Sequence, residues 1–236
     1  MTGSPARRAA GARKGRASAA SPPADREAPR TARGARTREQ LIQAARRVFE
    51  RDGYLDARLA DITAEAGTAA GSFYTYFSGK EEVFAAVLAE VQDEMLHPHV
   101  RDLASNDDPA AVIEASNRAY LESFKRNARL MALLEQVSTI DERFRQLRQL
   151  RMQAFGRRNA RAIQALQLRG LADPDLDPDL TAAALSYMVS RTAYASFVLG
   201  EDYDLDQLVE TLTKIWVNAL RLPARPSLPP SLPPPL

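Results

Sequence analysis

Apolar residues along the first third of the chain return every three or four positions, the period of an amphipathic helix. Leu41, Ile42, Ala45, Val48 and Phe49 share one such face. Thr37-Arg38-Glu39-Gln40 has capping-box spacing and predicts the start of that helix, while Gly53 predicts its end. A second helix is predicted from Leu59 to Ala66, with Leu59, Ile62 and Ala66 inward and Gly67 making the turn. The stretch from Gly71 to Phe77 then alternates small polar residues with aromatics, and Phe73 reads as core. A helix this short is unstable alone, so its neighbours must hold it, with one side packed and the other free to touch something outside. Ser78-Gly79-Lys80-Glu81 reads as a second capping box, opening a longer helix through Val83, Phe84, Val87, Leu88 and Val91.

The helical period continues to the end of the patterned region. Residues 95–108, which contain His97-Pro98-His99, read as a linker, and Pro109 suits the first turn of the next helix. Ile113, Asn117, Tyr120, Leu121 and Phe124 lie on one stripe. Leu130, Met131, Leu133, Leu134 and Val137 mark a shorter helix. A long helix is predicted from near Asp141 to Leu168, with Phe144, Leu147, Met152, Phe155, Asn159, Ile163 and Leu166 inward and many arginines outward. After the Asp173–Pro178 loop, Leu180, Ala184, Tyr187, Met188, Arg191, Tyr194, Ala195 and Val198 form a broad face. Leu205, Leu208, Leu212, Ile215, Trp216 and Ala219 define the last helix. The final two helices are apolar over more than one stripe, as a two-fold four-helix interface requires. The expected fold is all-α: a three-helix helix-turn-helix unit over residues 37–82 and a helical ligand-binding and dimerisation domain over 83–222.

Three short helices followed by a long one, with Ser, Thr and Tyr beside positive charge on the third, suit a head that reads the DNA major groove. The phrase Ala66-Gly67-Thr68-Ala69-Ala70-Gly71-Ser72-Phe73-Tyr74-Thr75-Tyr76-Phe77-Ser78-Gly79-Lys80-Glu81 carries a specific resemblance. Over residues 37–94 the chain resembles the N-terminal domain of the TetR family of bacterial transcriptional regulators. That resemblance implies a homodimer, one helix-turn-helix per subunit, and a C-terminal domain whose small effector usually releases DNA. It assigns Thr68 to Tyr76 to the recognition helix and its entrance. Ser72 and Thr75 are implied at base edges or nearby phosphates, Tyr74 and Tyr76 at the backbone, and Lys80 on a phosphate at a helix N-terminus. Two departures stand out. Ala69 and Ala70 replace polar or long side chains of relatives, leaving apolar contact with thymine methyls. Arg58 stands where relatives place Thr or Ser, and offers an extra phosphate contact.

In the C-terminal region, Asn117, Asn159 and Arg191 each interrupt an apolar stripe. An unsatisfied buried polar group costs about 1–3 kcal/mol, so each needs a partner. A pocket of aromatic and aliphatic walls with a few polar groups suits a mostly apolar ligand. Tyr120, Phe124, Met131, Met152, Phe155, Tyr187 and Tyr194 are the candidate walls, although core packing accounts for each of them individually. Arg191 equally fits an interface ion pair. A lipid-like metabolite or its acyl thioester matches such walls, so the expected effector is small and apolar or of acyl type.

Composition refines the picture. The chain has 236 residues and no cysteine, which removes disulfides and thiolate metal sites. Residues 1–36 hold nine basic and two acidic side chains, a balance of +7; with +2 overall, the remaining residues carry −5. This arm is too polar to build a core and reads as disordered, able either to follow DNA phosphates or to serve only as a solubilising tail. The proline-rich segment 223–236 reads as a disordered end. No stretch has the apolar length of a membrane span or the core of a signal peptide, so the expected location is the cytoplasm. His97 and His99 lack a third metal ligand nearby, and no nucleophile–base pair is evident. No metal, cofactor or enzymatic activity is therefore expected. The expected function is a ligand-responsive repressor acting on a pseudo-palindromic operator in double-stranded DNA; a weakly sequence-specific DNA-coating protein is the alternative.

Overall fold

The computed structural model describes residues 31–96 and 108–223. Among these residues the chain forms nine helices and no strand. They are α1 (Ala32–Asp56), α2 (Leu59–Glu65), α3 (Ala70–Tyr76), α4 (Lys80–Leu96), α5 (Pro109–Arg126), α6 (Ala128–Ser138), α7 (Glu142–Leu168), α8 (Pro178–Phe197) and α9 (Leu205–Ala219). The all-α expectation holds.

Several boundaries differ from the pattern-based reading. Helix α1 begins at Ala32, where the Thr31 hydroxyl accepts from the Gly34 amide at 3.1 Å. Residues 32–36 are thus helical rather than part of a disordered arm. Thr37 sits inside the helix and its hydroxyl donates to the Arg33 carbonyl at 3.1 Å, so no capping box operates there. Gly53, at φ 80° and ψ 176°, breaks the helical path, as its freedom from a Cβ permits. At α4 the carboxylate that reaches back to the Ser78 amide belongs to Glu82 (2.6 Å), not Glu81. Helix α4 also continues through Met95 and Leu96, which the sequence reading assigned to a linker. His97-Pro98-His99, residues 1–30 and the segment from 224 onward lie outside the described residues.

The later helices start where their caps dictate. Asp108 accepts from Ala111 N–H at 3.0 Å ahead of α5, Asp177 from Leu180 N–H at 2.7 Å ahead of α8, and Asp204 from Asp206 and Gln207 ahead of α9. Helix α7 packs most extensively along α8, α5 lies against α9, and α1 is clasped by α2, α4 and α6. One continuous core runs from Leu41 to Leu222, so the N-terminal head and the remaining helices share buried surface. Phe49, Tyr54, Phe84 and Phe144 form an aromatic knot at that junction, with centroid distances of 4.8–5.9 Å. Arg46 of α1 adds a 2.7 Å bond to the Oδ1 of buried Asn127, at the α5–α6 corner.

Candidate nucleic-acid interface and interior site

The turn between α2 and α3 is built by backbone chemistry. Gly67 takes φ 62°, its amide donates to Ala64 O at 3.1 Å, and the Thr68 amide donates to Thr63 O at 2.9 Å. These paired bonds close α2 and turn the chain into α3. Phe73 and Phe77 are each 1% exposed and anchor α3 to the head. The opposite side of the helix faces out: Ala69, Ala70, Gly71, Tyr74 and Thr75 are exposed. Arg58, exposed at the N-cap of α2, flanks the same head. Ser72 is half-buried, and Tyr76 packs partly against the core, so of the two tyrosines it is Tyr74 that faces outward. Thr68 is also half-buried, with a buried hydroxyl that has no hydrogen-bond partner among the described residues.

Lys80 departs from the expectation of an ammonium free for phosphate. Its Nζ donates to Leu55 O and Ala57 O, both at 3.1 Å, and lies 4.9 Å from the Tyr54 ring centroid. It closes the carbonyls at the end of α1 and ties them to the start of α4, which leaves one of its three donors. Gly71 lies on the exposed side of α3. A Cβ built there meets no atom within 4 Å, so nothing inside the chain requires glycine at this helical position.

The interior candidates divide. Tyr120, Phe124 and Phe155 come together: the Tyr120 ring stands edge-on to Phe155 at 5.4 Å and lies 6.0 Å from Phe124. Phe197, which the sequence reading omitted, joins them 6.3 Å from Phe124. Met131 is buried and Met152 half-buried. The two asparagines are satisfied within the chain, Asn117 on Thr213 Oγ1 at 3.1 Å and Asn159 on Ser186 Oγ at 2.9 Å. Tyr187 is 51% exposed and cannot wall an interior pocket of one subunit. Arg191 is exposed too, 3.8 Å from a Glu135 oxygen and 4.9 Å from the half-buried Tyr194 ring. Those positions fall on the outer face of α8 because the buried face carries Ala182, Leu185, Ser186, Val189, Ala193 and Ser196 instead.

Besides Thr68, two buried side chains carry a nitrogen without a partner among the described residues, Trp216 Nε1 and Arg151 Nη1, and the inward stripe read from the sequence on α7 did not include Arg151. Arg151 is 6% exposed, and its Nη1 has no partner among the described residues. Its position was legible: Leu147, Arg151, Phe155 and Asn159 are spaced by four, on one stripe. Burial pushes the nearby Tyr120 phenol up, while a Ser190 hydrogen bond and the charge of Arg151 act in the opposite direction. Separately, α8 and α9 bound an open groove of about 620 Å³ that includes Met188, Arg191, Leu199, Leu212 and Ile215. Leu180, Tyr187, Leu199, Tyr203 and Ile215 leave apolar surface exposed around these two helices.

Comparison with known proteins places both halves of the chain. Residues 41–87 match the model described as bacterial regulatory proteins, tetR family. Residues 113–221 match that of the C-terminal domain of the transcriptional regulator EthR. The HTH-type transcriptional regulator TtgR of Pseudomonas putida is 26% identical over 195 residues, covering 79% of this chain and 92% of the relative. The HTH-type regulator EthR of Mycobacterium tuberculosis is 27% identical over 184 residues, covering 76% of this chain and 85% of the relative. Among solved structures, SmeT in complex with triclosan aligns with a TM-score of 0.67 at 22% identity, across 85% of this chain and 99% of the other. The fatty acid degradation regulator FadR of Bacillus halodurans aligns with a TM-score of 0.65 at 19% identity, across 79% of this chain and 97% of the other.

Proposed function

Because the chain belongs to the TetR family of transcriptional regulators, we propose that it acts as a dimeric repressor that a small, largely apolar effector releases from a pseudo-palindromic operator. The relatives are regulators, and this chain is a regulator and not an enzyme. The observation that carries the reading is the outward face of α3, where Ala69, Ala70, Tyr74 and Thr75 stand exposed while Phe73 and Phe77 fix the helix from behind. Inserted in a major groove, the alanines meet thymine methyls, and Tyr74, Thr75 and Ser72 reach backbone or base edges. Thr68 and Tyr76 lie at the margins of this contact; Arg58 and the remaining donor of Lys80 add phosphate contacts.

The exposed apolar face of α8 and α9 supports pairing of two copies into a four-helix interface. Two heads then meet successive major grooves about 34–36 Å apart. The shared core between head and effector region gives a ligand a route to change that spacing, provided it binds the two spacings with different affinity. The protein works in the cytoplasm, where its operator is; no helix among the described residues is long and apolar enough to cross a membrane. The test is binding to the DNA upstream of its own gene against random duplex over a range of salt. Preference for the upstream fragment supports the reading. Equal affinity at moderate salt contradicts it and favours a DNA-coating role.

A further inference from the structure

Helix α7 carries a buried cation that no carboxylate among the described residues neutralises. Arg151 is 6% exposed, its Nη1 has no partner among the described residues, and its Nη2 points at the thioether sulfur of Met95, a weak acceptor. The other arginines near the start of this helix behave differently: Arg143, Arg145 and Arg148 pair with Asp141, Glu142 and Glu135. Among the described residues no carboxylate acts on Arg151, and the one ionisable group that does is the Tyr120 phenol. Burial pushes the guanidinium below its ordinary value, yet arginine does not give up its proton in a protein. A buried charge calls for a counter-charge, and here it must come from outside the described chain.

We propose that Arg151 is the anion-recognising residue of the effector site, and that the effector is an apolar molecule carrying a single carboxylate. This rests on the reading of the chain as a ligand-responsive regulator. A monoanion neutralises one guanidinium without leaving a residual buried charge, and a planar carboxylate accepts two of its donors side by side. The apolar body lies against Phe155, Phe124 and Phe197, next to the Tyr120 ring. Arg151 also abuts Met95 in α4, the helix whose other end is fastened to the reading head by Lys80. Pairing there acts directly on the element that joins effector to DNA.

The test uses the full chain with octanoate, dodecanoate and hexadecanoate, each beside the alcohol of equal length. Affinity is read by calorimetry and by thermal melting, for wild type, Arg151→Met and Arg151→Lys. The expected result is that at least one carboxylate binds roughly tenfold or more tightly than its alcohol. Arg151→Met should abolish that preference while keeping alcohol binding, and Arg151→Lys should retain part of it. Since an apolar side chain replaces an uncompensated charge, the ligand-free Met variant should melt at or above wild type. The proposal is overturned by equal affinity for acid and alcohol, by no binding of any acid, or by an acid preference that survives Arg151→Met. A Met variant melting well below wild type overturns it too, because the chain would then supply its own counter-ion. Operator binding is measured on the same preparation. Its loss in wild type would count against the regulator reading alone, and its retention without acid preference would count against Arg151 alone.

Discussion

The ring of Tyr54, at the end of α1, stands edge-on to that of Phe144 at the start of α7, with centroids 5.6 Å apart and planes at 73°. This contact joins the N-terminal helix-turn-helix head to the C-terminal helices. Burial, followed by the charges of Glu81 and Asp141, pushes the Tyr54 phenol up to about 12. The neutral phenol is therefore favoured in the folded state. Its contribution is complete below the unfolded value of about 10 and is lost as pH rises through about 12. Tyr54→Phe should flatten the alkaline loss of stability across that window, read from urea unfolding at stepped pH. An unchanged slope would remove Tyr54 as its source.

Phe144 contacts both Tyr54 and Phe84 and is 2% exposed. Phe144→Ala should cost about 3–5 kcal/mol in denaturant unfolding. A loss below about 1 kcal/mol would mean that the head does not depend on this knot.

Lys80 donates to two carbonyls at the end of α1, those of Leu55 and Ala57. Lys80→Met should lower stability by about 1–3 kcal/mol while the apolar stem is retained. An unaltered melting curve would show that the ammonium is free in solution.

Gly71 costs a helix about 1 kcal/mol relative to alanine, and no neighbour inside the chain calls for it. Gly71→Ala should therefore stabilise the protein by about 0.5–1 kcal/mol and weaken operator binding, because the added methyl sits on the exposed side of α3 that is proposed to enter the groove. Arg58→Ala should leave stability within about 0.5 kcal/mol and reduce the salt slope of DNA binding by about one. If Gly71→Ala leaves affinity intact, α3 does not approach the duplex with this face.

The helical pattern and the reading head were legible because both follow from local chemistry. Phe73, Phe77 and Gly67 occupy the positions their residue types dictate. The C-terminal helices were less legible because stripes on neighbouring helices compete. The row from Leu180 through Tyr187 to Arg191 looked like an inner face, yet small residues such as Ala182 and Ala193 let α8 approach its neighbours on the other side. Asn117 and Asn159 read as open polar groups because their partners Thr213 and Ser186 lie far along the chain. Arg151 was missed through its residue type, since an arginine is rarely buried without a partner.

The outward row on α8 has its own consequence. Tyr187→Glu and Ile215→Glu place charges on exposed positions, so each subunit should fold normally while the dimer dissociates. Sedimentation of the double variant should give a monomer with unchanged helical circular dichroism. A persistent dimer would move the interface elsewhere.

The most direct measurement is footprinting of the purified chain on the DNA upstream of its own gene, with stoichiometry read from the mass of the complex in solution. Protection of two half-sites about one helical turn apart, by an even number of chains, is the expected result. Protection that spreads without preferred boundaries, or binding by single chains, would contradict it.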